Sequence, residues 1–132
     1  MSSALLDTHV FMWWLADAPE LTKSLREKLR VATALFVSAA SYWEIATKHR
    51  IGKLPEGPSY LLSRDDLRKA GIELLAIDGE DARAAGELAW DHRDPFDRML
   101  VCQARLRSLE LITTDVAVLA FHDKLPTRRK RR

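Results

Sequence analysis

The sequence has no apolar run long enough to cross a lipid bilayer, and it contains only one cysteine, Cys102. The first absence argues against a transmembrane helix. The second excludes an internal disulfide, which fits a reducing compartment. The first six residues have no basic region ahead of their apolar side chains, so no export signal is predicted. We therefore expect a cytoplasmic protein with no membrane partner.

Internal repeats are also absent, as is any shift in composition that would mark a second domain. At 132 residues, with 47% hydrophobic and 30% charged residues, the chain predicts one globular domain with a substantial core. The formal net charge of +2 hides an asymmetry, because residues 128–132 are all basic. We expect residues 1–126 to form the domain. Residues 127–132 would form a basic tail, either a solvated end of the chain or a site that attracts a polyanion.

Short apolar runs alternate with segments of helical spacing along the chain. The strand candidates are residues 4–6, 35–37, 72–77 and 111–114, and the helix candidates are residues 10–15, a helix opened by Pro19, 41–52, 60–71, 80–90, a long helix from Pro95, and 116–121. Strands that alternate with helices imply right-handed crossovers. The pattern predicts the α/β class, with a mostly parallel sheet of four to five short strands and helices on both faces.

Four acids occupy corresponding places in this pattern. Asp7 and Asp115 directly follow the first and last strand candidates, Glu44 lies early in the helix after the second, and Asp97 lies in the first turn of the helix from Pro95. Because ligand sites of parallel sheets lie beyond the carboxyl ends of the strands, we expect these carboxylates to converge. Their mutual repulsion would be relieved by a divalent cation. All-oxygen ligands favour Mg²⁺ or Mn²⁺, and the cysteine and histidine spacings match no zinc motif.

Each acid also has a purely structural interpretation. Asp7 and Asp115 could cap the helices that follow them, and Asp97 could simply complement the dipole of the helix from Pro95. Ser41 and Glu44 match a capping box. Asp7 is the strongest single candidate because it interrupts a buried apolar run, but each of the others alone is weak evidence. It is the four together on one predicted edge of a sheet that favour a catalytic site.

Four segments, taken in order, resemble the successive motifs of PIN domains, and among these the VapC-like toxins. They are LLDTHV at residues 5–10, VSAASYWEIATK at 37–48, HRDPFDRML at 92–100 and ITTD at 112–115. The resemblance covers roughly residues 5–121. It implies that four acids bind the metal and carry the catalysis: Asp7, Glu44, Asp97 and Asp115.

The same resemblance implies roles for further residues and partners. Thr8 and Thr114 would orient neighbouring carboxylates, and Asp94 would act behind the metal ligands or on the substrate side. Apart from the resemblance, the position of Arg98 just after Asp97 predicts that it pairs with an acid or holds a phosphate. The implied activity is a metal-dependent ribonuclease that leaves 5′-phosphate and 3′-hydroxyl ends. The implied partners are an RNA substrate, a cognate antitoxin protein and a second copy of the chain in a homodimer.

One departure from the family pattern concerns the end of the domain. The family usually closes with a last short apolar strand, whereas residues 122–126 here are mostly polar, so a fifth strand is expected to be stunted. Two other functions stay open. One is a catalytically silent RNA-binding scaffold of the same fold. The other is a receiver-like phosphoacceptor domain that would use Asp78, although no lysine follows the last strand candidate as that function requires.

Overall fold

The computed structural model describes residues 2–125, which form one four-stranded sheet with helices on both faces. The strands are β1 (Ala4–Leu6), β2 (Leu35–Ser38), β3 (Ile72–Leu75) and β4 (Glu110–Ile112), in the order β3-β2-β1-β4, and every pair is parallel. The predicted α/β class is therefore confirmed. Within residues 2–125 no fifth strand follows β4, because this part of the chain ends in a helix. The basic tail, residues 127–132, lies outside the described residues.

The helices occupy most of the chain between and after the strands. They are α1 (Thr8–Ala16), α2 (Lys23–Val31), α3 (Ala39–Arg50), α4 (Arg64–Lys69), α5 (Gly79–Glu87), α6 (Pro95–Leu106) and α7 (Val116–Lys124), with a 3₁₀ helix at Gly57–Tyr60. Within the described range, no helix is both long and apolar enough to span a membrane.

Each of these seven α-helices begins after a residue whose side chain accepts a hydrogen bond from a backbone N–H of the first turn. The caps are Asp7, Thr22, Ser38, Ser63, Asp78, Asp94 and Asp115. Ser, Thr and Asp are favoured there because their oxygens satisfy N–H groups that have no partner inside the helix. These caps place the starts of α2 and α3 at other residues than the sequence predicted.

Four helix predictions were wrong in their bounds. Thr22, not Pro19, begins α2, and Ser38, not Ser41, begins α3, so Ser41 and Glu44 do not form a capping box. The single helix expected over residues 60–71 is a 3₁₀ turn followed by α4. The helix expected to reach residue 90 ends at Glu87, which leaves residues 88–94 as an irregular segment before α6.

The sheet separates two apolar clusters, because side chains alternate between its faces. Ala4 and Leu6 of β1 pack on one face with α1, α2 and α3, while Leu5 packs on the other face with α6 and α7. All three residues are buried, as expected of a strand covered on both faces. Cys102 is also fully buried on α6, and this burial raises the pKa of its thiol.

The order of the strands also fixes where a ligand site can form. From β1 the chain builds outward through β2 to β3 on one side, and then returns to place β4 on the other side of β1. Such a reversal opens a crevice beyond the carboxyl ends of the two strands that flank it. Here these strands are β1 and β4, and the backbone N–H of Asp7 donates to the carbonyl of Ile112 across them at 3.0 Å.

Candidate active site

A cleft of about 140 Å³ lies where the chain leaves β1 and β4. All four acids singled out from the sequence line it, and they come from the starts of α1, α6 and α7 and from the second turn of α3. Since these segments are far apart in sequence, it is the parallel sheet that brings their carboxylates together. The lining residues are Asp7, Thr8, His9, Glu44, Lys48, Asp94, Asp97 and Asp115.

Asp7 lies at the base of this cleft and is 9% exposed. Its Oδ1 accepts the N–H of Val10 at 2.8 Å, which caps α1, and the hydroxyl of Thr113 also hydrogen-bonds to its carboxylate. Burial raises the pKa of Asp7, and the charge of Glu44 adds to this effect, although the two hydrogen bonds oppose it. The net direction means that the surroundings disfavour the ionised carboxylate when no cation is near.

Glu44 is buried on α3 and is held at both carboxylate oxygens. The Thr8 hydroxyl donates to Oε1 at 2.6 Å and lies 2.8 Å from the hydroxyl of Ser41. The Nζ of Lys48 donates to Oε2 at 2.6 Å. Thr8 therefore contacts the carboxylate of Glu44, and Lys48, which the sequence analysis missed, brings a positive charge to the cleft. The i, i+4 spacing of Glu44 and Lys48 on one helix was the available signal.

Asp94 and Asp97 lie at the start of α6. Oδ1 of Asp94 accepts the N–H groups of Phe96 at 2.9 Å and Asp97 at 3.4 Å. Oδ2 of Asp97 lies 2.8 Å from Nε2 of His92. Burial raises the pKa of Asp97, and the charges of Asp94 and Glu44 raise it further, against the contact with His92. The ligand atoms of His92, Asp94 and Asp97 lie within 4.8 Å of one another, close enough to hold a cation together.

Asp115 is the exposed member of the group. Its Oδ1 accepts the N–H groups of Ala117 at 3.0 Å and Val118 at 3.2 Å, which caps α7. Its own N–H donates to the hydroxyl of Thr113 at 3.0 Å. Thr113 thus joins Asp7 to Asp115, whereas Thr114, the threonine chosen from the sequence, is exposed. Two adjacent threonines at a strand end gave no local signal for choosing between them.

The role expected for Arg98 requires correction. Its guanidinium binds backbone carbonyl oxygens in the last turn of α5 and in the segment between α5 and α6, and the ion pairs found within residues 2–125 do not include it. The acceptors are Ala85 (3.0 Å), Trp90 (2.5 Å), His92 (3.1 Å), Gly86 (3.5 Å) and Leu88 (2.7 Å). The early end of α5 frees these carbonyl groups, and the planar fork of arginine donors suits such a set.

The tryptophans fall into two groups. Trp13 and Trp14 lie on α1 and pack against the core, and Trp90 stacks on His92 and on Phe121 of α7. Trp43 is exposed and meets Phe96 edge to face, with ring centroids 4.9 Å apart.

The chemistry of the cleft follows from its donor set. Five carboxylates face one lysine, and the pKa values of two of the acids, Asp7 and Asp97, are raised by burial and by neighbouring negative charge. A hard divalent cation would remove this repulsion, and the oxygen donors suit Mg²⁺ or Mn²⁺. The residues therefore fit the metal that the motifs imply.

Comparison with curated proteins gives two relatives, both from Mycobacterium tuberculosis. The chain is 29% identical to Ribonuclease VapC22 over 119 residues, which cover 87% of this chain and 88% of that protein. It is 39% identical to Ribonuclease VapC16 over 64 residues, which cover 48% of this chain. That second match spans 44% of VapC16, less than half of its length.

Two solved structures have a similar fold, and each match covers 89% of this chain and 90% of the other. One is a toxin–antitoxin complex from Klebsiella pneumoniae, with a TM-score of 0.58 and 18% identity. The other is VapBC2 from Rickettsia felis bound to a DNA fragment from their promoter, with a TM-score of 0.61 and 16% identity. The model of the PIN domain family matches residues 4–122, a span that contains all four strands and all four acids. The chain therefore belongs to the PIN domain family.

Proposed function

We propose that the protein is a metal-dependent endoribonuclease and the toxin of a toxin–antitoxin pair. The observation that carries this proposal is the convergence of Asp7, Glu44, Asp97 and Asp115 on one cleft at the switch point of the sheet. The names of the two curated relatives, both ribonucleases, support RNA as the substrate.

The same four carboxylates would hold Mg²⁺ or Mn²⁺. When bound, the cation would stabilise negative charge on the phosphate oxygens and lower the pKa of a water molecule. The chain's own residues orient the ligands: Thr8 and Lys48 fix the carboxylate of Glu44, and the first-turn N–H groups of α1 and α7 fix those of Asp7 and Asp115.

The proposed reaction is hydrolysis in which water is the nucleophile. One carboxylate of the cleft accepts a proton from this water as it attacks the phosphorus in line with the leaving 3′-oxygen. The products carry 5′-phosphate and 3′-hydroxyl ends. No cyclic phosphate forms, because the RNA 2′-hydroxyl is not the nucleophile.

We also propose an antitoxin protein, a second copy of this chain and a cytoplasmic setting as the biological context. The two similar structures are a toxin–antitoxin complex and a VapBC assembly, which supports the choice of an antitoxin partner.

The two other functions left open by the sequence fit the structure less well. A silent RNA-binding scaffold has no need of four converging acids, two of which are disfavoured as charged groups without a cation. A receiver-like domain would require Asp78 to accept a phosphoryl group. Asp78 instead caps α5, and its carboxylate lies 3.3 Å from Arg107 at the edge strand of the sheet.

The test is RNA cleavage by the purified full chain with Mg²⁺, with Mn²⁺ and with chelator, followed by mapping of the ends. Asp7→Asn is the informative variant because asparagine keeps the capping oxygen and removes the charge. We expect it to lose at least about a hundredfold in rate, because even the loss of an outer hydrogen-bond partner of a ligand costs about 10- to 100-fold. Asp91→Asn, an exposed acid in the segment before α6, is the control and should retain full activity. Full activity of Asp7→Asn, or cyclic phosphate ends, would contradict the proposal. Labelling of Asp78 by acetyl phosphate would favour the receiver function.

A further inference from the structure

The irregular segment at residues 88–94 is held in place by aromatic stacking. The Trp90 ring stacks on Phe121 of α7, with centroids 4.3 Å apart and planes 6° apart. The imidazole of His92 stacks on Trp90, with centroids 4.4 Å apart and planes 12° apart. Near-parallel rings at these distances restrict each other's rotation. The orientation of the His92 ring is therefore fixed through Trp90 by Phe121 of α7.

Arg98 holds the backbone of the same segment. Its guanidinium donates to the carbonyl of His92 itself at 3.1 Å and to that of Trp90 at 2.5 Å. Charged donors make stronger hydrogen bonds than neutral ones, so this contact restrains the Cα position from which the His92 ring projects. Backbone and ring of His92 are thus restrained independently, although this residue has no regular secondary structure around it.

The restrained imidazole makes one polar contact to the cleft. Its Nε2 lies 2.8 Å from Oδ2 of Asp97, and both side chains are only partly exposed, at 28% and 26%. In the ionised form that would bind a cation, the Asp97 carboxylate can only accept a hydrogen bond, so Nε2 is then the donor. A donor at one oxygen stops rotation of the carboxylate and fixes the position of Oδ1. Hydrogen-bond partners of this kind orient metal-ligating carboxylates.

We propose that His92 is a positioning residue of the metal site, which orients the carboxylate of Asp97 by donating from Nε2 while Trp90 and Arg98 hold its ring and backbone. This inference rests on the proposed nuclease function, because that function is the reason to expect a metal ion at Asp97. Its test uses metal binding and so does not depend on cleavage. The role differs from that of a substrate contact, since the His92 ring faces an acid of the cleft.

Two substitutions at His92 separate the donor from the ring. His92→Phe keeps an aromatic ring that can stack on Trp90 but removes the donor. His92→Gln gives up the stacking ring but carries an amide N–H that can reach about the position of Nε2. His49→Phe is the matched control, because His49 is exposed on α3 and contacts the carbonyl of Leu54 outside the cleft.

The measurement is the affinity of the full chain for Mn²⁺, determined from the decrease in the electron paramagnetic resonance signal of free Mn²⁺. Loss of an outer hydrogen-bond partner typically weakens metal affinity by about 10- to 100-fold. We expect a loss of this size for His92→Phe, affinity within about threefold of wild type for His92→Gln, and no change for His49→Phe. The Mn²⁺ concentration for half-maximal RNA cleavage should shift in the same order, and the rate of His92→Phe should recover at saturating Mn²⁺.

Several results would overturn the assignment. Wild-type affinity in His92→Phe would show that the donor does not matter, and an equal loss in His92→Phe and His92→Gln would show that the imidazole acts in another way, for example as a direct ligand. Failure of the wild type to bind Mn²⁺ would overturn both this inference and the proposed function. Mn²⁺ binding with the expected order of variants, but without RNA cleavage, would leave the positioning role standing and reject the nuclease function alone.

Discussion

Replacing Asp97 with asparagine distinguishes a metal ligand from a carboxylate that only complements a helix dipole. Burial, together with the charges of Asp94 and Glu44, raises the pKa of Asp97 against the opposing contact with His92. Its surroundings therefore disfavour the charge, and Asp97→Asn should raise the melting temperature of the metal-free protein at neutral pH. If Asp97 served only the dipole of α6, the same substitution would lower that temperature slightly.

The expected effect of metal can be worked out from the size of the chain. Mn²⁺ at about 100 times its Kd stabilises the folded state by about 2.7 kcal/mol. An unfolding entropy of about 2.1 cal/mol/K per residue gives this 132-residue chain a shift of about 3.6 °C for each kcal/mol. The wild type should therefore gain about 10 °C. If loss of the carboxylate weakens binding about 100-fold, the same Mn²⁺ concentration gives Asp97→Asn only about 0.4 kcal/mol, or about 1.5 °C.

The dependence on pH has a definite sign. A carboxyl group whose pKa is raised by folding binds its proton more tightly in the folded state, so its contribution favours the fold at low pH. That contribution is lost as the pH rises from 3.8 through the folded pKa. Without metal, the melting temperature of Asp97→Asn should therefore exceed that of wild type by an amount that grows through this pH window and then levels off. Mn²⁺ competes with the same protons, so the wild-type metal shift should grow over the same window.

Thermal melts of wild type, Asp97→Asn and the control Asp91→Asn, each with chelator and with Mn²⁺, measure all of these differences. Asp91→Asn should behave as wild type under both conditions because its carboxylate is exposed outside the cleft lining. An unchanged Mn²⁺ shift in Asp97→Asn, together with a lower metal-free melting temperature, would refute the reasoning and leave Asp97 as a helix-start residue.

Two further predictions concern regions outside the cleft. Asp81 is fully buried, and although burial alone would raise its pKa, hydrogen bonds from Arg107 and Gln103 outweigh this and lower it. Asp81→Asn should lower the free energy of unfolding by about 2 kcal/mol, which is less than the roughly 3–5 kcal/mol typical of a fully buried ion pair because Arg107 is 28% exposed. In thermal melts, the difference in stability from wild type should shrink as the pH falls below 3.8, since the wild-type carboxylate then becomes protonated. Deletion of residues 127–132 should weaken RNA binding and flatten its dependence on salt, since fewer counterions are then released, and an unchanged slope in a salt titration would assign the tail no role in binding.

The sheet and the place of the acids could be predicted from the sequence because both depend on local patterns. Each strand is a short apolar run, and a parallel sheet turns the position just after a strand into a position on one common edge. Asp7 and Asp115 needed only that rule. Glu44 and Asp97 needed in addition the direction in which each helix leaves the sheet, which right-handed crossovers supply.

Contacts across the chain could not be predicted in this way. Ser38 and Ser41 are both plausible caps, and the choice depends on where β2 stops pairing with β3, at Ser38 and Leu75. The ion pair of Asp81 with Arg107 joins residues 26 positions apart. The carbonyl contacts of Arg98 arise only because α5 ends at Glu87, and the helical spacing of the sequence continues beyond that point.

The capping role of the acids bears on why they are charged. Asp7, Asp94 and Asp115 each accept first-turn N–H groups, which both starts a helix and fixes the carboxylate in the cleft. Asparagine caps a helix about as well as aspartate, so the capping hydrogen bonds alone give no reason for a negative charge, and the helix dipole favours one by only about 0.3–1 kcal/mol. For Asp7 the charge is unfavourable in the folded protein, since burial raises its pKa. A bound cation reverses that balance, because it attracts the ionised form and repels the proton. The charge of Asp7 is therefore best explained by a ligand that α1 itself does not require.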